Sequence, residues 1–454
     1  MNRSDRTGMA VYGALGAAAV AAVVSAVVVS AVITPASTVR TSAAPPLGNA
    51  PGLVAAPARA VVPGAADLAR QGTGHGTRTG QGAISRPAAT AGPAAAPVPG
   101  YAASTVIGPP EARDPWRLVF AGHYGSLADA SGYPAVIAPG RDSAWVFGGT
   151  NPGEPSKPAA QHWNGRRWLP AALPAGLDSF ISAASASGPA DVWAVSAFGG
   201  YLLHWNGTGW SVARKWNPAA QATGVTAISP ADVWLFGSPG RGVSGTGTWR
   251  FDGHSWTRVS GPGASIYRAS AVGRDDVWGI TAGPGGAVVH WDGRRWARVR
   301  TGAALAGSQL ADVLATSARS VWVVGSSPAT AEDGHVVVAH WNGRSWRRMR
   351  ASGLAIPRSL AGDGYGGIWI TAMTLGSRTE SRLLHVSAAG RWAEATVSRG
   401  LGNAISDLAR IPGTRSLWGS GGFLTTSGGD AAIWLHQVTS RPRHPAAEDA
   451  RAPR

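Results

Sequence analysis

A tryptophan-centred phrase that recurs seven times constrains the fold of this 454-residue chain more than any other feature. The first three copies read SAWVFGG, DVWAVS and DVWLFG, and neighbouring copies are separated by 41 to 49 residues. A second phrase, HWNGRRW in its first copy, follows six of the seven, although it is degraded in the sixth. A period of this length indicates a repeat architecture in which each copy is one supersecondary unit. The repeat tryptophans are Trp145, Trp193, Trp234, Trp278, Trp322, Trp369 and Trp418 in the first phrase, and Trp168, Trp210, Trp256, Trp296, Trp346 and Trp392 in the second.

Each copy predicts four short strands. The second phrase contains Asn-Gly or Asp-Gly between apolar runs, which is a strong hairpin signal and predicts a two-residue type I′ turn. In the fourth copy that turn would place Val289 opposite Trp296 and would put Trp291 on the same face as Trp296. Four antiparallel strands repeated every 40 to 50 residues are typical of propeller blades.

The two ends of the repeat region predict how the ring closes. The seventh copy lacks its fourth strand, and a fragment reading DPWRLVFAG precedes the first copy. In this fragment Trp116 corresponds to the fourth-strand tryptophan, such as Trp168 or Trp296, that the seventh copy lacks. The sequence therefore predicts an all-β, seven-bladed β-propeller over residues 112–440, closed by an outer strand from its N-terminal end, with Trp116 near Trp434.

These repeats also support a resemblance. The DVWAVG-like and HWNGxxW-like phrases resemble those of exported, actinobacterial-type seven-bladed β-propeller proteins in the broad WD40-like and kelch-like class. The resemblance covers about residues 112–440 and implies the fold. It implies no particular function, because propellers include hydrolases, lyases, lectins and scaffolds.

The N-terminal segment predicts export. Arg3 and Arg6 precede an uncharged stretch from Met9 to Thr34, which is long enough for a transmembrane helix. We expect residues 1–34 to form one helix, either a retained membrane anchor or a cleaved signal peptide, so that the protein is extracytoplasmic and either membrane-anchored or secreted. Residues 35–111 predict a disordered Ala/Pro/Gly-rich linker, and residues 441–454 a disordered basic tail.

Composition limits the chemistry and the partners. The chain has no Cys, which excludes disulfides, thiolate zinc sites and cysteine nucleophiles, and we expect no cofactor. Forty Lys and Arg against 24 Asp and Glu give a formal net charge of +16, which favours anionic partners, although GC-rich coding would also produce so many arginines. We expect a monomer whose partner is a protein, a glycan or an anionic surface polymer, with nucleic acid not expected.

Six histidines occupy one apparent slot on the predicted third strands. A shared metal site is disfavoured, because equivalent positions on different blades diverge whereas ligands must converge on one ion. We expect each imidazole to form a hydrogen bond within its own blade, for example to a turn carboxylate, and we predict no metal site. The histidines are His162, His204, His290, His340, His385 and His436.

The sequence favours binding over catalysis. It contains no catalytic motif of the common hydrolase, metalloprotease or phosphate-binding types, so no catalytic residue is assigned. Loops joining the second and third strands vary in length, and variable loops on a rigid scaffold are where partners are usually recognised. Trp216, Lys215 and Tyr201 are the predicted ligand contacts, although Trp216 could instead fold over the ring. The alternative is a glycan-active hydrolase or lyase, which a cluster of carboxylates with Tyr or His in the central channel would favour.

Overall fold

The computed structural model describes residues of the repeat region, from 116 to 438 with gaps. The predicted N-terminal helix, the linker and the basic tail lie outside the described residues. Within those residues no helix has the length and apolar character needed to span a membrane. The described residues are 116–122, 131–150, 157–197, 200–216, 222–237, 246–259, 261, 265–281, 285–327, 335–374, 380–395, 397, 403–425 and 428–438.

Four of the blades follow one another along the chain in a regular order. Each is a four-stranded antiparallel sheet with its first strand innermost and its fourth strand outermost. Blade 1 consists of the second to fifth strands of the described chain, and blades 2, 3 and 4 each consist of the next four strands. The strands are β1 (Trp116–Gly122), β2 (Ser131–Gly140), β3 (Ser143–Thr150), β4 (Pro158–Trp163), β5 (Trp168–Pro170), β6 (Ile181–Gly188), β7 (Asp191–Ser196), β8 (Tyr201–Trp205), β9 (Trp210–Lys215), β10 (Ala222–Ser229), β11 (Asp232–Gly237), β12 (Thr248–Phe251), β13 (Trp256–Val259), β14 (Ile266–Gly273), β15 (Asp276–Thr281), β16 (Val288–Trp291) and β17 (Trp296–Arg298).

Blades 5 and 6 repeat this order, and blade 7 completes the ring. A short 3₁₀ helix, Gly302–Ala304, lies between blades 4 and 5. The remaining strands are β18 (Gln309–Ser317), β19 (Ser320–Ser327), β20 (His335–Trp341), β21 (Trp346–Leu354), β22 (Ile356–Gly362), β23 (Ile368–Thr374), β24 (Glu380–Val386), β25 (Trp392–Ala395), β26 (Asn403–Arg410), β27 (Leu417–Thr425) and β28 (Gly428–His436).

The ring is closed as the sequence predicts. The innermost strands contact each other in the order β2, β6, β10, β14, β18, β22, β26 and back to β2. In blade 7 the order is β26, β27, β28 and then β1, which supplies the outer strand. Trp116 pairs with His436, Leu118 pairs with Trp434, and Trp116 and Trp434 lie in one buried cluster. The N-terminal latch and the seven-bladed fold are therefore confirmed.

The core lies between the blades. The second strands read as short apolar runs, and every residue of β7 and β11 is buried, as expected for strands covered on both faces of the sheet. Trp145 of β3 lies 5.1 Å from Trp205 and 5.3 Å from Trp210 of the next blade, measured between ring centroids. Burying one such indole removes ~150–250 Å² from water, worth about 4–6 kcal/mol before the entropy of ordering is subtracted. The tryptophan repeat is thus the packing between neighbouring sheets.

The predicted hairpin register is wrong by two residues, because Val289 pairs with Arg298 instead of Trp296. Trp291 pairs directly with Trp296, so the turn has four residues instead of two. The side chain of Asp292 explains this: its Oδ1 accepts the backbone N–H groups of Arg294 and Arg295, both at 2.9 Å, while Gly293 has φ +89°. An Asx turn thereby replaces the type I′ turn. The prediction that Trp291 and Trp296 share a face is still correct, because residues directly opposite each other lie on one side of a sheet.

Candidate binding site in the central channel

The histidines on the third strands belong to clusters inside single blades. In blade 2, His204 Nε2 lies 2.7 Å from Asp191 Oδ1, which also accepts a hydrogen bond from Trp193 Nε1 at 3.0 Å. The imidazole of His204 stacks on Trp193 with 4.1 Å between the centroids. His290 and His385 contact carboxylates in the same way, at 2.8 Å each, and the expected intrablade hydrogen bond is found.

The other blades build variants of the same cluster. In blades 1 and 5 the partner of the imidazole is a hydroxyl, with His162 Nε2 3.3 Å from Ser143 Oγ and His340 Nε2 3.1 Å from Ser320 Oγ. Blade 3 replaces the histidine with Arg250, which donates two hydrogen bonds to the carboxylate of Asp232. In blades 1 to 5 the partner is thus the residue two positions before the repeat tryptophan, whereas in blade 6 it is Asp363, six positions before Trp369.

His436 does not share this slot, so the prediction is wrong for that residue. In blade 7 Trp418 pairs with Leu435, and His436 pairs with Leu417, one position further along. His436 consequently takes the place that Trp163 and its equivalents hold at the end of the third strand. It lies 4.9 Å from the ring of Trp116 and 4.9 Å from that of Trp369. Burial, with the nearby His385, lowers the pKa of His436 to about 4.

The predicted ligand contacts belong to the third and fourth strands of blade 2 and the residue that follows them, and only two of the three contact each other. Lys215 pairs with Tyr201 across β8 and β9, and its Nζ donates a hydrogen bond of 2.9 Å to the Tyr201 hydroxyl, which raises the pKa of Lys215. Tyr201 is buried, whereas Lys215 is exposed. Trp216 follows β9, is partly buried against the core between blades 2 and 3, and has the guanidinium of Arg214 5.1 Å from its ring centroid. Lys215 and Tyr201 therefore contact each other, but Tyr201 belongs to the core between blades 1 and 2 and Trp216 packs against the core between blades 2 and 3. Lys215 is the exposed member of the three.

The innermost strands carry a group of residues that the sequence reasoning missed. One slot lies ten residues before the repeat tryptophan in blades 1 to 6 and eleven before it in blade 7. On blades 1 to 3 this slot holds small residues, and on blades 4 to 7 it holds polar or charged ones. Superposing the seven repeats on their tryptophans would have revealed the change. The residues are Ala135, Ala183, Gly224, Arg268, Asp312, Ser359 and Asp407.

The carboxylates of this slot join neighbouring blades. Asp312 Oδ2 accepts the backbone N–H of Leu360 in blade 6 at 3.0 Å, and Asp407 Oδ2 accepts that of Val136 in blade 1 at 2.9 Å. Ser359 Oγ donates to Asp407 Oδ1. Innermost strands are edge strands whose unpaired backbone groups need partners when buried. These side chains supply the partners and so close the ring from inside.

Hydroxyl groups do the same at the junctions between blades 2 and 3, 3 and 4, and 4 and 5. Ser185 Oγ accepts the N–H of Ala227 at 2.9 Å, and Ser270 Oγ accepts that of Ala315 at 3.0 Å. Thr226 Oγ1 donates to the carbonyl of Ala269 at 3.2 Å. Each bond runs from one blade to the next blade along the chain.

A cavity of about 260 Å³ opens beside these residues. Its walls are the innermost strands of blades 2, 3 and 4 and Asp312 from that of blade 5, and Arg268, Ser185 and Ser270 line it together with Asp312. The small residues Ala183 and Gly224 leave the space that the longer side chains of the other blades would otherwise fill. Within the described residues, no group of three or more His, Asp and Glu side chains is arranged to hold a metal ion.

The charged groups around the cavity shift one another's pKa values. Burial raises the pKa of Asp312 to about 6, with the Asp407 charge adding to the rise and Arg268 opposing it. Burial would lower the pKa of Arg268, but the charges of Asp312, Tyr267 and Asp407 outweigh it and raise that pKa above its ordinary value. Arg268 is therefore a fixed cation, while Asp312 changes charge near pH 6.

One feature of the channel favours catalysis and another argues against it. Asp312 and Asp407 both act on Arg268, as does Tyr267, and such a group was expected for an enzyme. However, each carboxylate already accepts at least two hydrogen bonds, Asp312 from Val313 and Leu360 and Asp407 from Leu408, Val136 and Ser359. Hydrogen bonds within the ring therefore fix the positions of both carboxylates.

Comparisons with known proteins agree on the fold. No protein-family model matches the chain, and no curated protein matches it either. The solved structure of YCF48 bound to D1 peptide is 15% identical, with a TM-score of 0.50, over 73% of this chain and 99% of that one. A catalytically inactive virginiamycin B lyase from Staphylococcus aureus with quinupristin is 11% identical, with a TM-score of 0.50, over 70% and 99%. The β-propeller domain of Swd1 from Myceliophteria thermophila is 12% identical, with a TM-score of 0.48, over 68% and 97%. At these identities the two similarities with a TM-score of 0.50 extend to the fold alone.

Proposed function

We propose that this protein is an extracytoplasmic binding or scaffold propeller that recognises a cell-surface, wall or extracellular partner through one face of the ring. The N-terminal sequence from Met9 to Thr34 supports export, with the protein held at the membrane by that segment or secreted. The D1 peptide bound by YCF48 shows that a ring of this fold can hold a peptide, and a protein partner is the form of the proposal that we favour.

The observation that carries the proposal is that the histidines and the channel carboxylates already form hydrogen bonds within the ring. The histidines of blades 1, 2, 4, 5 and 6 are each bonded to a carboxylate or hydroxyl of their own blade. The channel carboxylates are bonded to backbone N–H groups. A general acid or base has to exchange a proton with its substrate, and hydrogen bonds within the ring make these groups less suited to that role than to binding.

The recognition face is assigned by the lengths of the connections. At the turn face, where the first and second strands are joined, two residues connect the strands in each of blades 1 to 5. At the loop face, where the second and third strands are joined, the connection ranges from two residues in blade 7 to ten in blade 3. The chain also passes between blades at the loop face, next to Trp216. Uniform turns serve the ring, whereas variable loops serve a partner.

We expect Trp216 to contribute to partner binding. The full-length protein in detergent is applied to protein, peptide and glycan arrays, and the affinity for each ligand found is measured for the wild type and for Trp216→Ala. Loss of a large aromatic contact at an interface typically costs 1 kcal/mol or more, which predicts at least a fivefold weaker Kd.

Tyr365→Ala is the matched control. Tyr365 is 54% exposed at the turn face of blade 6 and is also covered by a guanidinium, that of Arg415, at 3.8 Å. The control is expected to bind as the wild type does. Equal affinity of the Trp216 variant and the wild type for every ligand would refute the assignment of this contact.

A glycan-active hydrolase or lyase with a site in the channel is the second candidate. It is favoured by one observation, the carboxyl of Asp312 with its pKa raised to about 6 in a cavity beside Arg268. The array experiment separates the two functions: a binding protein leaves its ligand intact, whereas an enzyme releases a shortened or unsaturated product that mass spectrometry detects.

A further inference from the structure

The cavity in the channel has opposite charges at neighbouring positions of its wall. Arg268 on β14 and Asp312 on β18 occupy the same slot on adjacent blades, and both line the cavity. Among the described residues no carboxylate forms a direct ion pair with Arg268, so the attraction of Asp312 and Asp407 reaches it across the channel. The guanidinium has five N–H donors in a planar fork, which suits it to bind a carboxylate with two hydrogen bonds.

The other polar groups of the wall complete a complementary surface. Ser185 and Ser270 each use their oxygen to accept a backbone N–H, and a hydroxyl that accepts still carries a proton to donate. Both oxygens of Asp312 accept one backbone N–H, and a carboxylate has about four acceptor positions in all. The wall therefore offers donors around Arg268 and further acceptor capacity at Asp312.

Charge balance selects the class of ligand. A simple anion would be attracted by Arg268 but repelled by Asp312 and Asp407. A simple cation would be attracted by the two carboxylates but repelled by Arg268. A molecule that carries both charges a few ångströms apart satisfies both walls at once. The volume of about 260 Å³ lies just below the ~300 Å³ at which pockets for drug-sized ligands begin, so the ligand is small.

We propose that this cavity binds a small zwitterion, a free α-amino acid, with its carboxylate on Arg268 and its ammonium group facing Asp312. The site goes beyond the partner recognition proposed for the loop face and does not depend on it, because the cavity is formed by the innermost strands. Its small residues, Ala183 and Gly224, make the room for the ligand, and the polar arc of blades 4 and 5 supplies the charges.

The test is isothermal titration calorimetry of the full-length protein at pH 7.5 with glycine, L-alanine and L-proline. Acetate and methylammonium, which carry one charge each, are titrated in parallel. We expect saturable binding of at least one amino acid and at least tenfold weaker binding of both single-charge probes. Acetate binding as tightly as the amino acids would overturn the proposal in favour of a plain anion site, and no binding of any amino acid at 10 mM would overturn it outright.

Variants separate the site from the fold. Arg268→Gln and Asp312→Asn each remove one charge and are expected to weaken amino-acid binding at least tenfold. Arg298→Gln and Asp292→Asn are the matched controls on blade 4: Arg298 is exposed on the outer strand, and Asn already occupies the slot of Asp292 in blades 1, 2 and 5. Unchanged binding in both site variants would overturn the proposal.

Two further measurements keep the test decisive if a charge variant is poorly folded. Ala184→Leu leaves both charges in place but narrows the cavity that Ala184 lines, and it is expected to weaken binding at least tenfold. The pH dependence is the second measurement. Asp312 faces Arg268 of β14, Asp407 of β26 and the backbone N–H groups of Val313 and Leu360, and Arg268 in turn faces Tyr267.

The sign of the pH effect identifies the ligand class. Because Asp312 is ionised only above about pH 6, zwitterion binding is expected to weaken at least fivefold from pH 7.5 to pH 5. An anion site would strengthen over the same interval, since protonation of Asp312 removes a repulsive charge. Stronger binding at pH 5 would therefore overturn the proposal.

Discussion

At the scale of single residues, one side chain per blade organises a whole cluster. Asp191 accepts hydrogen bonds from Trp193 and Ser187 and contacts His204, and Asp276 does the same for Trp278 and His290. Hydrogen bonds to Asp191 lower its pKa even though burial opposes this. A buried carboxylate is stable only when its oxygens are satisfied, and here an indole, an imidazole and a hydroxyl satisfy them.

Removing that acceptor should destabilise the blade. We expect Asp191→Ala to lower the free energy of unfolding by about 2–4 kcal/mol, because Trp193 Nε1 loses its partner in a buried position and His204 loses its anchor. Denaturant unfolding followed by tryptophan fluorescence measures the change. Asp275→Ala, an exposed aspartate at the equivalent turn of blade 4, is the control and should leave the midpoint unchanged. An equal midpoint for both variants would contradict the role given to Asp191.

At the scale of elements, the latch strand β1 depends on a histidine that stands in a tryptophan slot. His436 is 5% exposed, and Nδ1 has no hydrogen-bond partner among the described atoms. The neutral ring therefore packs as an aromatic spacer between Trp116 and Trp369. A charged ring at this position would be buried without compensation.

The latch should consequently weaken in acid. The pKa of His436 is about 4 in the folded protein, below the ~6.5 of the unfolded chain, so the unfolded state binds more protons between these values. Stability from this residue is complete above about pH 6.5 and is lost as the pH falls towards 4, by about 3 kcal/mol in total.

His436→Phe should remove this dependence, since Phe251 fills the same slot in blade 3. Melting temperatures at pH 7 and pH 4.5 measure it, and the difference between variant and wild type isolates His436 from Asp312, whose raised pKa acts in the opposite direction. His254→Phe, at an exposed turn, should keep the wild-type dependence. The idea fails if His436→Phe and the wild type lose the same stability in acid.

At the scale of the whole molecule, the ring is closed twice. On the outside β1 pairs with β28, and on the inside Asp407 of the last blade accepts the N–H of Val136 in the first. The inner closure belongs to a series of bonds that run from blade to blade around the channel. Such a series couples the blades, because opening one junction leaves buried backbone groups without partners.

Breaking the inner closure should open blades 7 and 1 first. Asp407→Ala removes the acceptor of Val136, Leu408 and Ser359, and we expect a loss of about 2–4 kcal/mol in stability. Hydrogen exchange should increase in β2 and β26 more than in β10 and β14. Ser185→Ala, which removes a single bond at the junction of blades 2 and 3, is the comparison, and its increase should be confined to β6 and β10. Uniform exchange across all seven blades in Asp407→Ala would refute a local closure.

The sequence by itself determined the number of blades, the latch and the tryptophan packing. These follow from local patterns: a strand, its turn and its buried aromatic residue lie within one repeat, so the period of 41 to 49 residues carries them. The missing fourth strand of the seventh copy and Trp116 before the first copy were visible in the same way.

Only the tertiary structure decided what meets in the channel. Asp312 lies 44 residues after Arg268, and Asp407 lies 95 residues after Asp312. Closure of the ring brings both carboxylates close enough for their charges to act on Arg268. It also decided that Leu435 takes the histidine slot of blade 7. The physical reason is that the inner strands of separate repeats converge on one axis. The chemistry of the channel thus depends on distances between repeats and on burial, neither of which a repeat taken alone contains.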